Sequence, residues 1–159
     1  MNSDEIWTSI NYWHDEANSY EKDYFIKFTL DFIALILLIR NEYNIGNNAE
    51  RDYINKLKEE NSEKYIKFLD KSKFSEIKKY LNDYPLINDT NGKDYWDGDF
   101  GKINDLSDFK NMIEFIYIAR NNLFHGQKRV DFARDKIIIE YAFFFLNPLL
   151  DFLISKYNG

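Results

Sequence analysis

Near the C-terminus, Ile137, Ile138, Ile139, Tyr141, Ala142, Phe143, Phe144, Phe145 and Leu146 follow one another with only Glu140 between them. A helix built from this stretch is apolar on every side, and one small bundle cannot easily cover all of it. Two arrangements satisfy the pattern: a wholly central helix, or a helix shared between the core and a second copy of the chain. Residues 137–139 alone would suit a strand, but nothing in the chain shows the strict alternation that strands require. With two Pro and six Gly in 159 residues, turns are few and long helices are expected. The length fits one all-α domain, residues 1–159.

Helical patterning runs over residues 15–43 and ends in the apolar stretch from Phe32 to Ile39, after which Asn44-Ile45-Gly46-Asn47-Asn48 is a stop signal. Residues 49–81 are rich in Lys and Glu, with sparser apolar positions: two or three short surface helices, the last starting near Ser72 or Ser75. Residues 82–104 are irregular. They lack the alternating Asp and Asn, sixth-position Gly and closing Glu of a calcium loop, so a solvated connection is the simpler reading. Asp105 or Ser107 is placed to cap a helix over residues 108–124. A final helix spans about residues 131–156, with a kink or break expected at Pro148, which removes the hydrogen bond to the Phe144 carbonyl.

The absence of Cys excludes disulfides, a thiol nucleophile and thiolate metal sites. The acidic N-terminal residues are unlike a signal peptide. The apolar run over residues 25–39 carries Lys27 and Asp31 and is too short to span a bilayer, so a cytoplasmic location is expected. The net charge of −6 opposes a nucleic-acid partner only if it is evenly spread. It is not: Arg120, Lys128, Arg129, Arg134 and Lys136 outweigh Asp131 and Asp135 by +3, leaving −9 elsewhere. A basic island on an acidic body suits a small anionic site better than a long duplex groove. A solvated, mixed-charge turn is the plainer alternative.

The two His differ in context. His14 lies ahead of the first clear helical pattern with no metal-ligand partner nearby, and reads as a surface or packing residue. His125 closes Arg120-Asn121-Asn122-Leu123-Phe124-His125-Gly126, between two apolar helices. On a helix Asn121 and His125 share a face, Arg120 has the reach to join them, and Leu123 and Phe124 point into the core. Gly126 fits the residue that ends the helix, and the negative end of the dipole favours a protonated His125. Imidazolium gives a proton to a leaving oxygen, guanidinium binds a phosphate oxyanion, and Asn121, which cannot carry charge, can orient the His or bind substrate. The set has no nucleophile of its own, so an RNA 2′-OH would have to supply one. The structural alternative is a His-capped helix end beside an exposed Arg.

This segment resembles the Arg-x4–6-His motif of the HEPN superfamily (higher eukaryotes and prokaryotes nucleotide-binding), in which a polar residue commonly follows the Arg, as Asn121 does here. The preceding apolar helix, the short basic turn and the long apolar final helix are similar too, over about residues 108–156. The resemblance implies a bundle of about four or five helices. It also implies dimerisation through the motif-bearing helices, so that two motifs face one cleft. Many such proteins are metal-independent endoribonucleases of toxin-antitoxin and antiviral systems. In that scheme Arg120, Asn121 and His125 are catalytic, cleavage leaves a 2′,3′-cyclic phosphate, and no metal or cofactor takes part. Lys128, Arg129 and Arg134 would hold the RNA. A cognate antitoxin or defence-system protein is the implied partner, besides RNA and a second copy, and no membrane is involved. One subgroup, paired with small nucleotidyltransferases, carries a modifiable Tyr two residues after the His. Gln127 stands there in this chain. The alternative is a non-catalytic HEPN-like dimer that binds nucleotides or a partner protein; a purely structural adaptor would leave the basic turn unexplained.

Overall fold

The structure, a computed structural model, describes residues 2–46, 48–84, 103–124 and 133–159. Among them are seven helices and no strand: α1 (Ser3–Ser19), α2 (Tyr24–Glu42), α3 (Glu50–Leu57), α4 (Glu63–Ile66), α5 (Lys71–Asp83), α6 (Phe109–Phe124) and α7 (Ala133–Asn158). The all-α expectation holds. The segments outnumber the four or five expected, partly because α4 is a single turn.

The helix expected over residues 15–43 is in fact two helices, and α1 begins twelve residues earlier than expected. Its start is a capping box: Asn2 Oδ1 accepts from the Glu5 amide at 2.9 Å, and Glu5 Oε2 accepts from the Asn2 amide at 3.0 Å. Trp7, Ile10, His14 and Ala17 are buried, a stripe at three- and four-residue intervals. The break before α2 uses neither Gly nor Pro. Lys22 adopts a left-handed φ of 64°, and Asp23 accepts from the Ile26 amide at 3.2 Å to cap α2. Lys27 Nζ then reaches back to the carbonyls of Ala17 (3.0 Å) and Tyr20 (2.6 Å) at the end of α1. A lysine that interrupts an apolar run thus serves as a cap for the preceding helix.

Helix α7 packs against α1, α2, α4 and α6, and its apolar sequence proves to be that of a central helix. Ile138, Ile139, Ala142, Phe145, Leu146, Leu149, Leu150 and Leu153 are all fully buried. Phe145 meets Phe74 of α5 and Phe115 of α6 edge-on. This helix, rather than residues 25–39, is long and apolar enough to cross a membrane, with a mean hydropathy of 1.8. Yet 61% of its most apolar window is buried inside the protein, and a core helix meets the same criteria.

Pro148 does not break α7. One residue from the carbonyl whose i+4 donor Pro148 removes, Tyr65 OH donates to the Phe145 carbonyl at 2.8 Å, tying the short α4 to the centre. Asp70 caps α5 by accepting from the Ser72 and Lys73 amides, close to the expected start. The α6 start falls at Asp108, whose carbonyl accepts from the Met112 amide, while Asp105 instead closes a turn with Ser107. Of the irregular stretch at 82–104, residues 82–83 complete α5, and 85–102 lie outside the described residues.

Candidate functional site

The last turn of α6 carries Arg120 and Asn121, and the first two residues of α3 meet that helix face with crossed charges. Glu114, Tyr117 and Arg120 recur at three-residue intervals and so lie along one side of α6. Glu114 is wholly buried and holds both nitrogens of the Arg51 fork, with Nη2 at 3.0 Å from Oε2, and Lys58 Nζ at 2.6 Å from Oε1. Arg51 also lies over the Tyr117 ring, 4.4 Å from its centroid. Six residues on, at Arg120, the polarity reverses. Arg120 Nη1 is 3.1 Å from Glu50 Oε1, and Nη2 donates to Glu50 Oε2 at 3.3 Å. Two adjacent pairs of opposite sense penalise a slip of α3 along α6, because any shift brings like charges together.

Arg120 is held on several sides. Nη1 donates to Asn121 Oδ1 at 2.9 Å. The guanidinium carbon is 5.3 Å from the Phe32 ring centroid of α2 and 4.6 Å from that of Phe124. Nε is buried and has no partner among the described residues. The group is therefore fixed in orientation, flanked by aromatic surface, and still 23% exposed through its side chain. Such a guanidinium is suited to gripping an anionic oxygen.

Arg120 and Asn121, neighbours in the chain, share a hydrogen bond, and Arg120 is a partly buried, paired residue rather than a free surface one. His125, Lys128 and Arg129 lie outside the described residues. Arg134 falls in the first turn of α7, with its side chain outside the described set. One neighbour departs from expectation: Phe124 is 49% exposed instead of pointing into the core, whereas Leu123 packs against it, and Asn122 is fully buried. Stacking against Arg120 accounts for Phe124: the cation covers a ring that the core does not.

The sequence gives no local sign of Glu50 or Phe32 at this site. An acid at the first position of a helix is common for dipole reasons, and its partner stands 70 residues away. His14 is also more than a packing residue. It is buried with Nδ1 2.7 Å from Asp31 Oδ1 and Nε2 2.7 Å from Asp151 Oδ1, and Asn147 Nδ2 donates to Asp31 Oδ2 at 2.8 Å. Both ring nitrogens face carboxylates, so the ring is an imidazolium with both N–H groups donating. Burial alone would lower its pKa, but the bonds to Asp151 and Asp31 and their charges reverse this and raise it to about 9. Burial in turn pushes the Asp31 carboxyl up, against the opposing pull of His14. The cluster joins α1, α2 and α7. No group of three or more His, Cys, Asp or Glu suited to hold a metal ion occurs among the described residues.

Two clefts lie away from Arg120. One of about 480 Å³ is lined by Lys64, Phe68, Phe152 and Lys156 among others, and one of about 710 Å³ by residues including Lys22, Tyr24, Phe25 and Lys136. Comparison with protein-family models, with curated proteins and with solved structures found no match to the chain.

Proposed function

We propose that the chain is a HEPN-type, metal-independent endoribonuclease of a toxin or antiviral-defence system, acting in the cytoplasm as a homodimer. The observation that carries this reading is Arg120: a guanidinium oriented by Glu50, Asn121, Phe32 and Phe124, five residues ahead of His125 in the sequence. Arg120 binds the non-bridging oxygens of the scissile phosphate and offsets the charge that grows in the transition state. The RNA 2′-oxygen attacks phosphorus, the 2′ proton passes to water, and His125 protonates the departing 5′-oxygen. A 2′,3′-cyclic phosphate remains. Asn121 orients the guanidinium, and Lys128, Arg129 and Arg134 hold the RNA backbone.

Dimerisation is supported by α2 more than by α7. Ile26, Leu30, Ile33 and Leu37, spaced at three and four residues, form a stripe that is exposed at Ile26 and partly exposed at the other three. It lies on the same helix as Phe32, the ring beside Arg120. A second copy seated there would shield the stripe close to the motif.

A second reading, a non-catalytic HEPN-like dimer that binds nucleotides or a partner protein, is favoured by one observation: Glu50 already occupies Arg120. The two readings part on one assay. The purified protein should cleave RNA in the presence of EDTA, yield 2′,3′-cyclic ends, and spare DNA and RNA carrying a 2′-O-methyl group at the cleaved position. Activity that vanishes in chelator and returns with Mg²⁺ contradicts the mechanism. No cleavage at all supports the binding module.

A further inference from the structure

We infer that Glu50 is a built-in competitor for the phosphate site at Arg120, so that the arrangement described above is the closed state of that site. The inference rests on Arg120 being the phosphate-binding residue, and it follows from counting donors. A guanidinium has five N–H groups. Nε–H is buried and unpartnered. Nη1 donates to Asn121 Oδ1 and has Glu50 Oε1 3.1 Å away without hydrogen-bond geometry, and Nη2 donates to Glu50 Oε2. The carboxylate therefore lies across the Nη1–Nη2 edge, a pair of parallel donors with which a guanidinium grips a phosphate. A phosphate brought to the remaining donors would sit beside the Glu50 carboxylate, charge against like charge.

The contact is made in a way that lets it be displaced. Glu50 Oε1 is close to Nη1, but it is buried without a well-aligned hydrogen bond. The arrangement therefore leaves a buried donor on Arg120 and a buried acceptor on Glu50 both poorly satisfied, a cost that an entering anion can relieve. Glu50 is the first residue of α3, and the helix start is held by other groups: the Ala49 amide donates to Asp52 Oδ2 at 3.2 Å, and Arg51 is fixed to Glu114. The Glu50 side chain can therefore swing out by rotamer change alone, with α3 staying docked. When it does, the Nη edge of Arg120 faces the incoming phosphate with donors already aligned by Asn121 and the two rings. Apparent affinity for an anion is then the intrinsic affinity reduced by the open fraction.

The test titrates inorganic phosphate into protein labelled with ¹⁵N-arginine and follows the Arg120 Nε–H resonance, assigned by its loss in Arg120→Lys. Glu50→Gln, nearly isosteric and without the charge, should bind phosphate about 5-fold more tightly or better than the native chain. Glu50→Asp, which keeps the acid at the helix start but is one methylene short of Arg120, should move affinity the same way and guards against a folding defect in the first variant. In the Arg120→Lys background, where phosphate binding is read by isothermal titration calorimetry, the gain should disappear. Equal or weaker phosphate binding by both Glu50 variants overturns the inference and makes Glu50 a positioning partner of Arg120. RNA cleavage by the same proteins separates the two claims. Tighter phosphate with no cleavage by any variant keeps the competitor and removes the ribonuclease. Unchanged phosphate affinity in variants that cleave RNA as the native chain does removes the competitor and keeps the ribonuclease.

Discussion

His14 shows how far a residue's role is set by partners distant in the chain. Its two carboxylates come from positions 17 and 137 residues away, a pairing that no local pattern near Trp13-His14-Asp15 discloses. Arg120 and Asn121 were legible because the motif is local, whereas Glu50 and Phe32 were not, for the same reason that Asp31 and Asp151 were not. The buried imidazolium has a testable consequence. Its folded pKa, about 9, stands above the ordinary 6.5, so the stability it contributes is complete below about pH 6.5 and is lost as pH rises through 9. The contribution is on the order of 3 kcal/mol at the acidic end of that window. Thermal melts from pH 6.5 to 9.5 should show a steep fall in Tm for the native chain. His14→Gln should start from a lower Tm and give a flatter profile. A native profile as flat as that of the variant would mean that the ring is neutral in the folded protein.

At the scale of elements, helices with apolar periodicity and polar ends were readable: α3, α4 and α5 as short surface helices, α6 from its apolar pattern, and α7 from its length. The turn between α1 and α2 was not, since its reversal rests on Lys22 in a left-handed conformation where Gly would have announced it. That position yields a direct check. Lys22→Gly should relieve the backbone and stabilise the protein by about 0.5–1 kcal/mol, read as a rise in Tm. A fall in Tm would mean that the Lys22 side chain contributes more than its backbone costs. The basic turn after α6 is tested as a unit. Replacing Lys128, Arg129 and Arg134 together with Ala should weaken RNA binding without altering sequence preference. It should also reduce the salt slope by about 2, at roughly 0.7 per phosphate contact on a single strand. An unchanged slope would remove these residues from the RNA path.

At the scale of the whole molecule, the described residues form an all-helical assembly around α7, with an apolar stripe on α2 left partly exposed. The composite-cleft account needs two copies, and light scattering coupled to gel filtration should give about twice 19.2 kDa at micromolar concentration. Ile33→Arg, in the middle of the stripe, should shift that mass to the monomer while leaving helicity intact, and a native monomer at every concentration would contradict the composite cleft. The dimer, however, is compatible with both functional readings; the chemistry at His125 is not. The deciding measurement is the single-turnover rate of RNA cleavage in EDTA for the native chain, His125→Ala and Arg120→Ala, purified identically and matched for helicity and Tm. The account predicts that His125→Ala loses at least about 10²–10⁴-fold in rate, that Arg120→Ala is comparably impaired, and that both remain folded. Cleavage by the His125 variant at the native rate would contradict it, placing the activity in another site or another protein.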